Sequence, residues 1–310
     1  NFTSPFDVAG TIEDLVISSA GSAQIASTDD LTINGDLNNK GTFTIKSDVS
    51  STGSLILGGS LIGSGTNTVE RYISPISGNN GWHFLSSPVS AMDISGSDFI
   101  AGTYDLYRWG ESTVADEKWL NYEGGSFGHS QFEVGIGYLF AESAGGVFEF
   151  TGDLNDNANY PKTLTNTVDE GDGWNLVGNP YPSGLNWNTI SKETGKISGS
   201  YYVVDPSNST YLSSNGTDGD FTDGYIPPHQ GFFVQVTEEV DITMQKSDQV
   251  HGADNYEKSD NQYREALTVE LNGLNSSNRT YFSFRDDATK DFDFSVDAEK
   301  LFGWATIPQV

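Results

Sequence analysis

Gly81-Trp82-His83-Phe84-Leu85-Ser86-Ser87-Pro88 returns, altered but recognisable, as Gly173-Trp174-Asn175-Leu176-Val177-Gly178-Asn179-Pro180. In both stretches the Pro stands six positions after the Trp. Trp82 alternates with Phe84, and Trp174 with Leu176, so each stretch reads as a strand with one large-residue face. The Pro ends it, because it has no N–H to give to a ladder. Both tryptophans are expected in a core, where a large ring buries much area and its N–H needs one partner. A second landmark repeats downstream, Gly137-Tyr138-Leu139-Phe140 and Gly231-Phe232-Phe233-Val234. Gly137 follows Trp82 by 55 positions and Gly231 follows Trp174 by 57. Five residues before each Gly stands an apolar residue, Phe132 and Ile226. Between the landmarks, Leu106-Tyr107-Arg108-Trp109 corresponds roughly to Tyr202-Val203-Val204-Asp205. Agreement at several spaced points indicates an internal duplication, with copies over 74–165 and 166–250. They form either two small domains or two halves of one sandwich.

Upstream, residues 1–73 carry apolar pairs that skip one position: Leu15 with Ile17, Leu31 with Ile33, Phe43 with Ile45, Leu55 with Leu57. The last three pairs recur every 12 residues, separated by Gly, Asn, Ser and Thr. Strands this short cannot enclose a core singly, but coiled and stacked they share one. A β-helix or β-roll of a few rungs is expected; an antiparallel meander is the alternative. Downstream, 251–310 reads as a polar linker from His251 followed by a hairpin, with Leu267, Val269 and Leu271 alternating before Tyr281-Phe282-Ser283-Phe284. These strands either begin a third unit or complete the preceding sheet. The fold class is therefore all-β: a short β-solenoid-like N-terminal unit, duplicated β-sandwich-like units, and the start of a third β-unit.

Composition agrees. With 35 Gly and 14 Tyr among 310 residues, the chain favours short strands and many turns. Its 15 basic residues face 43 acidic ones, a formal charge of -28. Such a field repels nucleic acid and anionic membrane surfaces. There is no cysteine, hence no disulfide or thiolate chemistry. No apolar run approaches the length of a membrane span, so no membrane insertion is expected. The chain starts at Asn1 with no signal peptide, as expected of a mature or excised piece.

Gly173 to Ser183, with Leu185-Asn186-Trp187 after it, resembles a segment that recurs in large secreted proteins of Bacteroidetes. Ile226-Pro227-Pro228-His229-Gln230-Gly231-Phe232-Phe233-Val234 resembles it too, and Phe284 to Asp293 with Asp297 to Leu301 is similar to the module that often follows. The resemblance covers most of 70–310. It implies a multidomain, adhesin-like cargo of the type IX secretion machinery, placed outside the cell or on the outer-membrane surface. The C-terminal sorting domain that this machinery reads is missing, which favours a fragment.

Catalytic motifs are not found. His83, His129, His229 and His251 show no metal-ligand spacing, and no Gly-x-Ser-x-Gly elbow occurs. Paired carboxylates need not be close in sequence, and with 43 acids some pair always looks suitable. Three oxygen-rich loops are candidates for calcium: Asp153, Asn155, Asp156 and Asn157; Asn215, Asp218, Asp220 and Asp223; and Asp286, Asp287, Asp291 and Asp293. Plain solvated turns use the same residues. Tyr107, Arg108, Trp109, Trp119 and Asn121 are the candidate ligand site, aromatic faces for a sugar ring with polar groups beside them. Core filling is the competing reading of those rings. The expected function is a non-catalytic extracellular segment for adhesion or spacing, with glycans or other surface proteins as partners. A carbohydrate-binding protein in polysaccharide capture is the alternative, and a polysaccharide lyase or glycosidase the second.

Overall fold

Parallel pairing of very short strands builds the N-terminal unit. The computed structural model describes residues 5–78, 80–113, 118–221, 223–252, 266–272, 277–284 and 289–301. The first rung comprises β1 (Phe6–Asp7), β2 (Gly10–Ile12) and β3 (Leu15–Ile17). The second has β4 (Ser22–Ile25), β5 (Asp30–Ile33) and β6 (Leu37–Asn39), and the third β7 (Thr42–Ile45), β8 (Ser54–Leu57) and β9 (Leu61–Ile62). Each strand pairs in parallel with its counterpart in the next rung, giving the stacks β1-β4-β7, β2-β5-β8 and β3-β6-β9. This is a three-faced solenoid, and the meander alternative falls. The 12-residue spacing is half a rung: Leu31 stacks on Leu55, and Phe43 on Asn67, in different faces. Ile25, Leu31, Ile33, Leu37, Phe43, Ile45 and Leu55 are fully buried between the faces. Asn39 is also buried, and its amide donates to the Asn67 side chain at 2.9 Å, so no polar group is stranded there.

β10 (Thr66–Ile73) closes the solenoid, pairing in parallel with β7. Its other edge pairs antiparallel with β18 (Gly146–Thr151), so one strand belongs to two structures. Between them run β11 (His83–Ser86), β12 (Val89–Ser90), β13 (Met92–Asp93), β14 (Tyr104–Trp109), β15 (Trp119–Asn121), β16 (Gln131–Phe132) and β17 (Gly137–Glu142); β19 (Asp153–Leu154) follows. The second copy repeats the scheme with β20 (Asn159–Leu164), β21 (Trp174–Gly178), β22 (Gly184–Asn186), β23 (Tyr201–Asp205), β24 (Thr210–Ser214), β25 (Tyr225–Ile226), β26 (Gly231–Gln235), β27 (Val240–Gln245) and β28 (Gln249–Val250). The main sheet has the order β11-β17-β14-β15 in one copy and β21-β26-β23-β24 in the other. Gly137 pairs with Ser86 and Gly231 with Gly178, each partner the fourth residue after its tryptophan. Trp82 is thus equivalent to Trp174, and Gly137 to Gly231. Likewise β16 pairs with β13, and β25 with β22, which places Phe132 and Ile226 alike.

Two details differ from the sequence reading. β20 pairs with β27 as β10 pairs with β18, so each copy begins one strand before the boundaries at 73/74 and 165/166. Tyr107 pairs with Leu139 and Tyr202 with Phe233, so Tyr107, not Leu106, matches Tyr202. The solenoid and the first copy share one hydrophobic core, and the second copy has its own. The terminal hairpin, β29 (Ala266–Asn272) with β30 (Ser277–Ser283), pairs only with itself among the described residues and does not extend the preceding sheet.

Candidate functional site

The main sheets of the two copies face each other across an aromatic layer. It contains Trp82, Phe84, Tyr107, Trp109, Trp119 and Leu139 from the first copy. Trp174, Leu176, Tyr202, Val204, Tyr211 and Phe233 come from the second. The registers make these six matched pairs, so the copies meet through equivalent faces. The backbone repeats that symmetry. Leu85 bridges to Gln230, and its equivalent Val177 bridges to Ile136, the equivalent of Gln230. The Ser86 N–H donates to the His229 carbonyl at 2.9 Å, and the Gly178 N–H to the Gly135 carbonyl at 3.1 Å. The layer is an isologous, approximately two-fold interface inside one chain. Gly137 and Gly231 lie at its centre, because an added Cβ would stand 2.8 Å from the Val177 or the Leu85 carbonyl oxygen.

The proposed sugar platform lies in this layer. Trp109 meets Trp119 edge-on at 5.0 Å and Phe233 at 5.1 Å, and its indole N–H donates to the Trp174 carbonyl at 2.7 Å. Tyr107 packs on Trp82 at 6.0 Å. These rings face the second copy. Arg108 points to the opposite face, where its guanidinium donates to the Phe127 carbonyl, so strand alternation separates it from its neighbours. Asn121 pairs with Tyr107, and its side-chain oxygen accepts the Gly124 N–H at 2.9 Å. Trp82 and Trp174 are half-buried members of the layer instead of fully buried core residues. Among the described residues Trp187 is the tryptophan buried completely, its indole N–H donating to the Gly199 carbonyl at 2.7 Å.

Most of the oxygen-rich loop residues are hydrogen-bonded within the chain, several of them to distant elements. Among the described residues no three His, Cys, Asp or Glu side chains gather as a metal site. Asp153 faces solvent on β19, while the Asn155 amide donates to the Pro180 carbonyl at 3.1 Å. The Asp156 carboxylate accepts the Leu61 N–H at 2.8 Å, and the Asn157 carbonyl accepts the Tyr181 hydroxyl at 2.9 Å. In the second loop the Asn215 side chain accepts the Asp218 N–H at 2.8 Å. Asp220 accepts the Ser213 N–H at 2.8 Å and the Tyr281 hydroxyl at 2.7 Å, and Asp223 the Tyr225 N–H at 3.0 Å. Asp286 and Asp287 lie outside the described residues; Asp293 accepts the Ser295 N–H at 2.9 Å.

Two histidines are buried. Burial lowers the His83 and His229 pKa values to about 3, with the Arg71 charge adding to the effect. His83 shares a hydrogen bond with the Ser74 hydroxyl at 2.9 Å. His229 has a left-handed backbone at φ +57, and neither of its ring nitrogens has a hydrogen-bond partner among the described residues. Glu111 is a buried carboxylate that reaches from the first copy to the second. It accepts hydroxyls of Thr165 at 2.8 Å and Thr167 at 2.9 Å, and N–H groups of Thr167 at 2.6 Å and Gly173 at 3.2 Å. Burial pushes its carboxyl up, yet those donors together carry it below the usual range.

An open concavity borders the aromatic layer and shares Tyr202 and Tyr211 with it. A cavity of about 550 Å³ separates the β23–β24 hairpin from the C-terminal segment. Tyr202, Tyr211, Phe284 and Phe292 supply rings, and Ser200, Asp218, Arg279, Asp297, Glu299 and Lys300 supply polar groups. The segment is held by Gly199 N–H to the Phe294 carbonyl at 3.1 Å, Asn215 to the Val296 carbonyl at 3.2 Å, and Tyr281 to Asp220. Tyr202 and Tyr211 stand out in the sequence as aromatics of the second copy. The contribution of Arg279, Glu299 and Lys300 does not, because it depends on how the segment beyond the hairpin folds back.

A family model described as a domain of unknown function (DUF8693) matches residues 3–214. The match takes in the solenoid, the first copy, and the second copy as far as the end of β24. No curated protein matches, and no solved structure matches.

Proposed function

The chain belongs to the family described as a domain of unknown function (DUF8693), and from that premise we propose a non-catalytic extracellular contact segment that acts in adhesion or as a spacer. One observation carries the reading: the three units are tied pairwise. β10 is common to the solenoid and the first copy. The two copies share the aromatic layer. The second copy also returns to the solenoid, through Leu55 N–H to the Pro182 carbonyl at 2.9 Å, and through His251 to Thr32 at 2.9 Å and Ser54 at 2.8 Å. Three joints in a closed set resist bending at any one of them, as a spacer requires. His251 is therefore docked, although the sequence reads it as the start of a linker.

The resemblance of 173–187 and 226–234 to type IX cargo supports a place outside the cell or on its outer surface, with glycans or other surface proteins as partners. Among the described residues no helix is long and apolar enough to cross a membrane. Small-angle scattering tests stiffness: one rigid shape should fit the profile of residues 1–252, and a profile that needs independently moving halves overturns the spacer reading. A panel of polysaccharides incubated with the chain should release no new ends. Reproducible cleavage, lost on replacing one carboxylate, would overturn the non-enzyme reading. Polysaccharide capture is the second reading, favoured by the cavity beside β24.

A further inference from the structure

We propose that the cavity between the β23–β24 hairpin and the C-terminal segment binds an uncharged, polyhydroxylated ligand, a short run of neutral glycan. The proposal stands apart from the spacer reading, because a stiff segment needs no cleft.

Size and shape come first. About 550 Å³ lies within the range of small-ligand sites. Its walls come from separate parts of the chain, a rigid sheet on one side and the folded-back segment on the other.

Its chemistry then narrows the ligand. Phe284 and Phe292 are 67% and 59% exposed, large apolar faces available to the C–H face of a pyranose. Tyr202 on the opposite wall is buried and hydrogen-bonded to a backbone group of Glu299, and burial raises further a pKa that at its ordinary value of 10 already leaves the phenol neutral near pH 7. Tyr211 is raised to about 12 by burial as well. The phenols therefore remain neutral hydrogen-bonding groups. Ser200 is fully buried, lines the cavity, and its hydroxyl has no hydrogen-bond partner among the described residues. A buried hydroxyl left unpaired costs about 1–3 kcal/mol, so a ligand hydroxyl that reached it would recover that loss.

Charge disfavours acidic sugars. Asp218, Asp293, Asp297 and Glu299 line the cavity, against Arg279 and Lys300. Arg279 lies 3.4 Å from the Glu270 carboxylate, and Lys300 donates to the neutral Arg279 carbonyl at 2.5 Å and keeps its charge. A uronate would meet four lining carboxylates against two cations, a balance that disfavours it. Sugar hydroxyls, by contrast, can donate to those carboxylates.

Calorimetric titration of the full chain tests this, with neutral oligosaccharides (gluco-, xylo- and manno-oligomers), a glucosamine oligomer and an oligogalacturonate as separate arms. At least one neutral oligomer should bind saturably, and the oligogalacturonate should not. Phe292→Ala and Ser200→Ala should each weaken the neutral oligomer by roughly 10-fold, about 1.4 kcal/mol, with the melt of Phe292→Ala unchanged. Three outcomes overturn the proposal: no neutral oligomer binds at millimolar concentration, the charged oligomers alone bind, or binding survives both substitutions intact. If Ser200→Ala fails to fold, Phe292→Ala alone decides the location.

Discussion

The two copies share a strand plan yet fill their equivalent positions differently. Gly135 and His229 are equivalent by register, and both have left-handed backbones, φ +76 and φ +57. Over Gly135 lies Tyr160, so close that an added Cβ would stand 2.3 Å from its ring. The strand position equivalent to Tyr160 is Val69, as the pairings with Met244 and Phe150 show. Gly135 of the first copy has Tyr160 of the second over it, whereas His229 of the second copy, its ring 6.3 Å from Phe150 of the first, has valine at the position equivalent to Tyr160. What the copies conserve is filled space and backbone geometry, while the side chains that fill the space are free to trade places.

The largest expected effect breaks that trade. Gly135→His should destabilise by about 3 kcal/mol or more, because two rings compete for one place. Adding Tyr160→Val should restore much of the loss. Denaturant melts of the two single variants and the double check it, and additive losses would deny the compensation.

Glu111 comes next, since its carboxylate joins the copies without a counterpart in the symmetry. Glu111→Ala should cost about 2–3 kcal/mol, leaving four donors with one fewer acceptor group. Its folded pKa is depressed, so its contribution is fully present above the unfolded value near 4.5 and is lost as pH falls through the folded value. The variant should therefore differ from the parent at pH 7 and converge on it in acid. Urea midpoints across that interval measure the convergence.

Trp82 and Trp174 sharpen the equivalence itself. Each packs edge-wise or tilted on an equivalent tyrosine, Trp82 on Tyr107 at 6.0 Å and Trp174 on Tyr202 at 5.0 Å. Either alanine variant should lose roughly 2 kcal/mol, less than a fully buried tryptophan would. Thermal melts in which the two losses differ severalfold would show that the layer is symmetric in position only.

The buried histidines of the first and second copies make a gentler comparison. Both pKa values fall from 6.5 to about 3, so each ring is neutral in the fold and protonates more readily once unfolded. Stability is complete above 6.5 and declines as pH drops towards 3, by on the order of 1 kcal/mol per pH unit for each ring. His229→Gln should flatten that slope in melts at successive pH values. The smallest effect concerns the acidic loops. Excess calcium and chelator should give the same melting temperature, because the carboxylates of Asp156, Asp220 and Asp223 already hold backbone N–H groups. A rise with calcium would show a stabilising site by mass action.

The duplication was legible because its landmarks sit where few residues fit. Gly137 and Gly231 mark the close approach of the two sheets, and the Trp positions mark the start of matching strands. The solenoid was legible as short paired apolar residues, but its rung was not: Ala23 with Ile25 and Leu37 with Asn39 are weaker apolar signals, so two of three faces looked like one repeat. The candidate site fared differently. Tyr107, Arg108 and Trp109 are consecutive, and strand alternation alone separates Arg108 from the rings. What the aromatic face would meet could not be read from its own strand, since its partner surface comes from residues nearly a hundred positions later.

β10 has a further consequence, in the order of events during synthesis. Its parallel partner β7 precedes it, but its antiparallel partner β18 comes about 80 residues later. At a synthesis rate of roughly 5–20 residues per second, the nascent chain carries β10 as an open edge for about 4–16 seconds. During that interval the edge can pair with whatever extended segment lies nearest, including the same strand of another nascent chain. Glu70 and Arg71 lie in the middle of it. In the finished molecule Glu70 holds Lys46 and the Ser47 N–H. Both partners precede β10 in the chain, so Glu70 can be held before β18 exists, and Arg71 beside it is the charge that discourages neighbours from adding to the open edge.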